Sequence, residues 1–294
     1  MPKPTVKEAS SVYDYIHGRT ALMVFWHYAS TQGRKALRSA ETLHAMYSDS
    51  GLRVVSVHTP VYRFEFDRQN LWKAVSETKW AHRIFHDSSC VLAAELKVTW
   101  LPSAIVFDAE GSERLFSPGD PASYEVNLAI RDLLSFRETS GKKGPSLVEQ
   151  FMERAYKPET GFSPPLRFGD AGVRSKSLQG PRRARIILEE GFRRTEDSVV
   201  TGPERCAVMA LNYYGREVNL VLAPLGDQVR IEVTLDGGRV PAYILGEDLL
   251  IESNRTLVRA HGSDVYRLID GGWGSHLLEL RVNGAVEFYE ISFG

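Results

Sequence analysis

Hydrophobic positions along this chain change period once. In the first part they come as short solid runs separated by amphipathic stretches. Ala21 to Phe25 is an unbroken apolar run, the pattern of a buried strand. From Lys35 to Ser48 the apolar residues Ala36, Leu37, Ala40, Leu43, Met46 and Tyr47 recur at helical spacing. Gly51 ends that helix, and a β-branched strand follows at Leu52 to Val57. The same reading predicts a helix over 69–79, a strand over 83–85 and a helix over 89–96. A strand at Ser103 to Asp108 is then turned by Ala109-Glu110-Gly111 into a hairpin, and Val126 to Phe136 closes the series as a helix. Strands alternating with helices predict an α/β unit with its sheet covered on both faces.

Between Glu138 and about Gly180 the rhythm stops. Ser140-Gly141-Lys142-Lys143-Gly144-Pro145 reads as a polar linker, 147–156 as a short helix, and Pro158, Pro164 and Pro165 as irregular chain. Beyond it the period becomes two. Val229, Ile231, Val233 and Leu235 alternate with Arg230, Glu232, Thr234 and Asp236, and Asp236-Gly237-Gly238 supplies a hairpin turn. Further strands are predicted over 184–188, 206–213, 218–222, 256–260, 277–282 and 285–293, with Asn283-Gly284 as a hairpin signal between the last two. Many short alternating strands predict an all-β sandwich of jelly-roll type. The expected organisation is an α/β domain over 1–140, a linker with a short helix over 141–180, and a β-sandwich over 181–294.

Composition narrows the partners. The chain has 294 residues, 43% hydrophobic and 25% charged, with 36 basic against 37 acidic side chains and a formal net charge of -1. Such a balance exerts no global pull on nucleic acid or an anionic membrane, and no apolar run approaches the roughly 18 residues of a spanning helix. No nucleic-acid or membrane partner is expected. The N-terminal stretch MPKPTVKEASSVYDY lacks an apolar signal-peptide core, which as given predicts a cytoplasmic address. Cys90 and Cys206 lie too far apart to frame a disulfide scaffold and read as small buried hydrophobes.

The segment Phe25-Trp26-His27-Tyr28-Ala29-Ser30-Thr31-Gln32-Gly33 joins a strand to a helix. It resembles the thioredoxin-family active-site segment, in which Phe-Trp is followed within a few residues by Cys-x-x-Cys. Trp100-Leu101-Pro102 stands where that family places its cis-proline, and Phe107-Asp108-Ala109-Glu110-Gly111 is similar to the turn of its TlpA-like branch. Ser56-Val57-His58-Thr59-Pro60, with Tyr62 and Phe64-Glu65, closely resembles the His-Thr-Pro segment of DipZ-type proteins. In those a carbohydrate-binding-module-like sandwich follows, whose start is similar to Lys157-Pro158-Glu159-Thr160. The resemblance implies a thioredoxin-like α/β domain, and a binding groove formed by Trp26, Tyr28, Ser30, His58, Leu101 and Pro102.

The departure from the family lies at Ser30 and Gly33, which occupy the two cysteine positions. A helix N-terminus lowers a thiol pKa toward roughly 7 and so makes a thiolate. It cannot ionise a serine hydroxyl near neutral pH, and Gly33 offers no side chain. Dithiol exchange is therefore not expected at this turn. Arg38 also stands where thioredoxins usually carry a helix-kinking proline. The expected function is binding or scaffolding, with a protein or peptide partner, no cofactor and no metal. A one-cysteine peroxidase or thiol sensor built on Cys90 is the competing enzymatic reading. Carbohydrate binding by the second domain is the third, with Trp273 in Asp270-Gly271-Gly272-Trp273-Gly274 as the exposed candidate and Tyr213, Tyr214, Tyr243, Tyr266 and Tyr289 as further aromatics. His82 and His86 have the i, i+4 spacing of helical zinc ligands, but on a strand they would lie roughly 13 Å apart and could not share an ion. Arg182-Arg183-Ala184-Arg185 and Arg193-Arg194 read as a solvated edge, since Glu189, Glu190, Glu196 and Asp197 interleave with them.

Overall fold

The computed structural model describes residues 6–76, 78–134, 165–169, 184–188, 191–203, 206–227 and 229–294. The chain divides into two compact units, Met1–Pro158 and Glu159–Gly294. The predicted linker helix over 147–156, the segment Lys157-Pro158-Glu159-Thr160 and the pair Arg182-Arg183 lie outside the described residues.

The first unit runs β1 (Val6–Glu8), α1 (Val12–Ile16), β2 (Ala21–Trp26), α2 (Thr31–Tyr47), β3 (Arg53–His58), α3 (Arg68–Ser76), β4 (Arg83–His86), α4 (Val91–Glu95), β5 (Ser103–Phe107), β6 (Glu113–Pro118) and α5 (Tyr124–Leu133). Its six strands form one mixed sheet in the order β1-β4-β3-β2-β5-β6. β1, β4, β3 and β2 pair in parallel, and β5 and β6 are antiparallel. Alternation along β2 splits the core in two: Met23 and Phe25 pack with Val12, Ile16, Leu92 and Phe107, whereas Leu22 and Val24 pack with Ala36, Ala40, Leu43, Val126 and Ile130. Helices therefore cover both faces, as the solid apolar runs require.

The second unit is all-β and sandwich-like. It contains β7 (Leu166–Arg167), β8 (Arg185–Leu188), β9 (Phe192–Arg194), β10 (Val199–Thr201), β11 (Ala207–Pro224), β12 (Arg230–Leu235), β13 (Gly238–Arg239), β14 (Leu249–Glu252), β15 (Arg255–Val258), β16 (Asp264–Asn283) and β17 (Val286–Phe293). β11 and β16, of 18 and 20 residues, pair antiparallel over almost their whole length. β11 was expected as two shorter strands, 206–213 and 218–222, and β16 only over 277–282. Register shifts near Gly215 and between Val218 and Asn219 break the alternation without ending the strand, so a period-two reading divides it there. One hydrophobic cluster collects the inward residues of this unit from Phe168 to Phe293.

One expectation about burial is corrected. Cys206 is exposed and Cys90 partly so, because each precedes an element instead of lying within one. Of the aromatics proposed as a platform, Tyr213, Tyr266 and Tyr289 are core residues, whereas Tyr243 and Trp273 are 83% and 49% exposed. Arg193 and Arg194 lie exposed on β9.

Candidate functional site

The register of the first sheet brings the singled-out segments to one edge. Trp26 pairs with His58 and Phe25 with Ser103, so the end of β2 lies between the His58-Thr59-Pro60 turn and the Leu101-Pro102 peptide, which is cis. His58 in turn pairs with His86 at the end of β4. This is the edge beyond the carboxyl ends of the parallel strands, where open α/β sheets bind ligands.

Ser30 caps α2. Its backbone is extended, and its Oγ accepts the Gly33 N–H at 3.1 Å, so the hydroxyl is committed to the helix end. Gly33 is closed in. A Cβ there would sit 2.3 Å from the carbonyl oxygen of His27, which is backbone and cannot swing aside. Replacing a helical glycine gains about 1 kcal/mol in propensity. An overlap with backbone this deep outweighs that gain, because even moderate overpacking costs about 1–3 kcal/mol. The turn has thus closed around the absence of a side chain, and a cysteine at position 33 does not fit it.

Beneath the turn lies a buried carboxylate. Glu65 is fully buried. Its Oε1 accepts the Ala29 N–H at 3.0 Å and faces His27 Nδ1 at 3.2 Å, while its Oε2 accepts the N–H groups of Val61 and Tyr62 at 2.9 and 3.1 Å. One side chain therefore ties the turn after β2 to the loop after β3. Burial alone would push the Glu65 carboxyl up, but the field and hydrogen bond of His27, with the approach of His58, outweigh it and hold the carboxyl well below its usual range. His58 Nε2 stands 3.7 Å from Glu65 Oε1, too long for a hydrogen bond. Among the described residues neither ring nitrogen of His58 or of His86 has a hydrogen-bond partner, although both rings are buried and their centroids lie 5.2 Å apart. Tyr28 stacks on His58 and Trp26 meets it edge-on. Burial pushes both histidines down, against the pull of Glu65 on His58 and of Glu8 on His86.

Of the groove residues named from the sequence, Trp26, Tyr28, His58 and Pro102 are buried, and Ser30 and Leu101 reach the surface. The exposed apolar side chains at this edge are different ones. Val61, Phe66, Val91 and Trp100 are 40%, 48%, 55% and 65% exposed. Among the described residues no hydrogen bond joins the His58 ring to its own turn, and Glu65 fixes that turn through the Val61 and Tyr62 N–H groups. Glu65 was visible in sequence only as the end of Tyr62-Arg63-Phe64-Glu65.

Cys90 precedes α4 with a left-handed backbone, and its thiol lies 3.7 Å from the Pro60 carbonyl oxygen. Burial, then Asp87 and Glu65, push the thiol pKa up, the opposite of an activated thiolate. His82 precedes β4 and His86 ends it, consistent with the strand reading of that spacing. Among the described residues no group of three or more His, Cys, Asp or Glu side chains is placed to hold a metal ion, and no helix is long and apolar enough to cross a membrane.

Over 225 residues the chain is 23% identical to the protein DipZ of Mycobacterium bovis, a match covering 72% of this chain and 32% of DipZ. The first unit is thioredoxin-like, of the TlpA/DipZ type. The DipZ protein of Mycobacterium tuberculosis matches to the same extent. The chain thus spans about a third of the length of the curated relatives it matches. No family model matches. Among solved structures, a putative thiol:disulfide interchange protein DsbE from Chlorobium tepidum is 18% identical with a TM-score of 0.39, covering 45% of this chain and 94% of its own. A secreted Mycobacterium tuberculosis disulfide oxidoreductase homologous to Escherichia coli DsbE is 16% identical with a TM-score of 0.32, covering 48% of this chain and 83% of its own.

Proposed function

We propose that the thioredoxin-like unit is a binding module without dithiol redox activity, which engages a protein or peptide at the edge formed by the Ser30 turn, the loop after β3 and the Leu101-Pro102 peptide. The observation that carries this reading is the closure at Gly33. A site lacking only its sulfurs could be a recent loss, but a backbone packed against position 33 has no place for the resolving thiol that exchange requires. Exposed Val61, Phe66, Val91 and Trp100 supply apolar area at the same edge, and Leu101 beside them reaches the surface. Apolar contact combined with main-chain pairing is how extended peptides are held on sheet edges and grooves.

The test uses the full chain. Insulin disulfides in dithiothreitol should be reduced at the uncatalysed rate. A peptide array should yield extended apolar ligands whose binding falls at least tenfold in Trp100→Ala. Thioredoxin-like turnover abolished by Cys90→Ser would replace this reading with the one-cysteine enzyme, a reading that the raised Cys90 thiol does not favour.

A second reading concerns the β unit, for which we propose carbohydrate binding through its exposed aromatics. Trp273 lies 49% exposed with its ring 6.0 Å from that of Tyr214, and aromatic faces of this kind stack on sugar rings. A glycan array with wild type and Trp273→Ala tests it, and equal signals from the two proteins would dismiss it.

A further inference from the structure

His276, on β16, has both ring nitrogens engaged. Nδ1 lies 2.8 Å from Asp236 Oδ2 and Nε2 lies 2.8 Å from the carbonyl oxygen of Gly272. Neither partner can donate in this setting. A backbone carbonyl only accepts, and Asp236 is held as a carboxylate: burial opposes its ionisation, but the His276 ring and the Leu277 N–H outweigh this and keep its carboxyl below the usual value. A neutral imidazole has one N–H and one lone pair, so either tautomer would aim a lone pair at an oxygen. The imidazolium donates to both.

The segment held by these bonds is the irregular middle of β16, between the ladder pairs Asp270–Glu217 and Gly274–Gly215. Gly271 and Gly272 adopt φ values of 133° and 73°, in the region side chains avoid, and a Cβ on Gly271 would meet Ile244 at 3.0 Å. Trp273 follows directly, exposed and beside Tyr214. On the other side, Asp236 sits in the tight turn between β12 and β13, where its Oδ1 accepts the Leu277 N–H at 2.8 Å and its own N–H donates to the Leu277 carbonyl oxygen at 2.8 Å. His276 therefore bridges the Asp236 turn and the glycine-rich bend of β16, where the register against β11 shifts.

We infer that His276 is a proton-operated latch: its doubly protonated ring clamps the Gly271-Gly272 bend to the Asp236 turn and so holds Trp273 against Tyr214. Loss of the ring proton leaves one nitrogen facing an oxygen without a hydrogen between them, and the weaker link to the Gly272 carbonyl opens. Asp236 faces the His276 ring from the β12–β13 turn. Tyr213 faces it from β11, its ring centroid 5.6 Å away and its hydroxyl buried without a hydrogen-bond partner, with burial and then Asp236 pushing that hydroxyl up. On β16 itself, Asp270 stands 3.8 Å from Arg216. Asp236 is thus held as the carboxylate and Tyr213 as the neutral phenol. The latch does not depend on what the β unit binds.

Nitrogen-15 NMR of the full chain tests this, with the Trp273 indole signal assigned by its loss in Trp273→Phe. The latch predicts that both His276 ring nitrogens show protonated-type resonances in the clamped form. It also predicts that the Trp273 indole resonance shifts on the same titration curve as the His276 ring, and that this shift disappears in His276→Gln. A Trp273 resonance indifferent to the titration of His276 would overturn the latch. So would a lone-pair-type nitrogen in His276 while the indole keeps its clamped position, a result read on wild type alone should His276→Gln fail to fold.

Discussion

Two histidine clusters sit two residues apart on the same strand and follow opposite rules. At Ser56, the His82 ring is fully satisfied: Nε2 lies 2.8 Å from Ser56 Oγ, and Nδ1 lies 2.5 Å from Glu41 Oε2. Glu41, on α2, also takes the N–H groups of Ala81 and His82. The sequence of hydroxyl, imidazole and carboxylate has the form of a nucleophile with its base and orienting acid. Ser56 is fully buried and His82 is 3% exposed, however, so no substrate can reach the hydroxyl. That cluster is a brace between α2 and the entry to β4. At His58, one pleat further toward the carboxyl edge, the neighbouring rings of His58 and His86 leave four nitrogens without hydrogen bonds. The same residue types thus serve structure where every polar group is paired. They mark the candidate binding edge where pairing is incomplete and one carboxylate, Glu65, carries the connections.

The comparison is broken most forcefully at Glu65. Glu65→Ala leaves the buried N–H groups of Ala29 and Tyr62 and the part-buried one of Val61 without their acceptor. At about 1–3 kcal/mol for each such group, the expected loss by chemical denaturation is at least about 3 kcal/mol. Wild-type stability in Glu65→Ala would mean that the carboxylate is not the hub.

Next come the two histidines. His82→Leu leaves Ser56 Oγ and Glu41 Oε2 without the ring they bond and should cost about 2 kcal/mol, whereas His86→Leu breaks no ring hydrogen bond among the described residues and should lie within about 0.5 kcal/mol of wild type or above it. Equal losses in denaturant titrations of the two variants would erase the distinction drawn between the clusters.

Acid unfolding separates them again. The folded pKa values of His58 and His86 lie below the ordinary 6.5, so the unfolded chain takes up protons more readily. Stability is unaffected by them above pH 6.5 and falls as pH drops below it. Glu41 acts lower. Despite the burial that opposes it, bonding to His82 and to the Ala81 and His82 N–H groups brings its carboxyl to about 2, against 4.5 ordinarily. Its contribution is present above 4.5 and disappears as pH falls toward 2. Denaturation midpoints across pH should therefore decline in two stages, and His86→Leu should flatten only the upper one. The smallest expected effect is on Cys90, whose raised pKa predicts alkylation slower than that of a free thiol in the folded protein at neutral pH.

Much of the first unit was legible because its strands are solid apolar runs and its helices carry a clear stripe. Its opening strand and helix, Val6–Glu8 and Val12–Ile16, were not foreseen, being too short to show a period. Helix α2 begins at Thr31 and not at Lys35, since its first turn is polar and is announced only by the Ser30 cap. In the β unit the alternation located β8, β12, β15, β17 and parts of β11 and β16, but missed β7, β9, β10, β14 and β16 before Leu277, and the continuity of β11 through its bulges. The site was legible in place more than in content. The resemblance brought Ser30, His58 and Pro102 to one edge. Burial of a lone loop glutamate, and the approach of the His27 carbonyl to Gly33, arise from contacts that no local pattern encodes.

The central claim is that the redox turn is closed in its backbone as well as stripped of its sulfurs. A glycine in a first helical turn ordinarily tolerates a side chain, so from sequence alone Ser30→Cys with Gly33→Cys would restore a reversible disulfide. The 2.3 Å approach of His27 reverses that expectation. The most direct measurement is the redox state of this double variant in glutathione buffers, with its stability measured alongside. The account predicts thiols that stay free under oxidising glutathione, a stability loss of about 1–3 kcal/mol or more from the side chain at position 33, and no insulin reduction. A variant as stable as wild type that forms a reversible 30–33 disulfide and reduces insulin would contradict it.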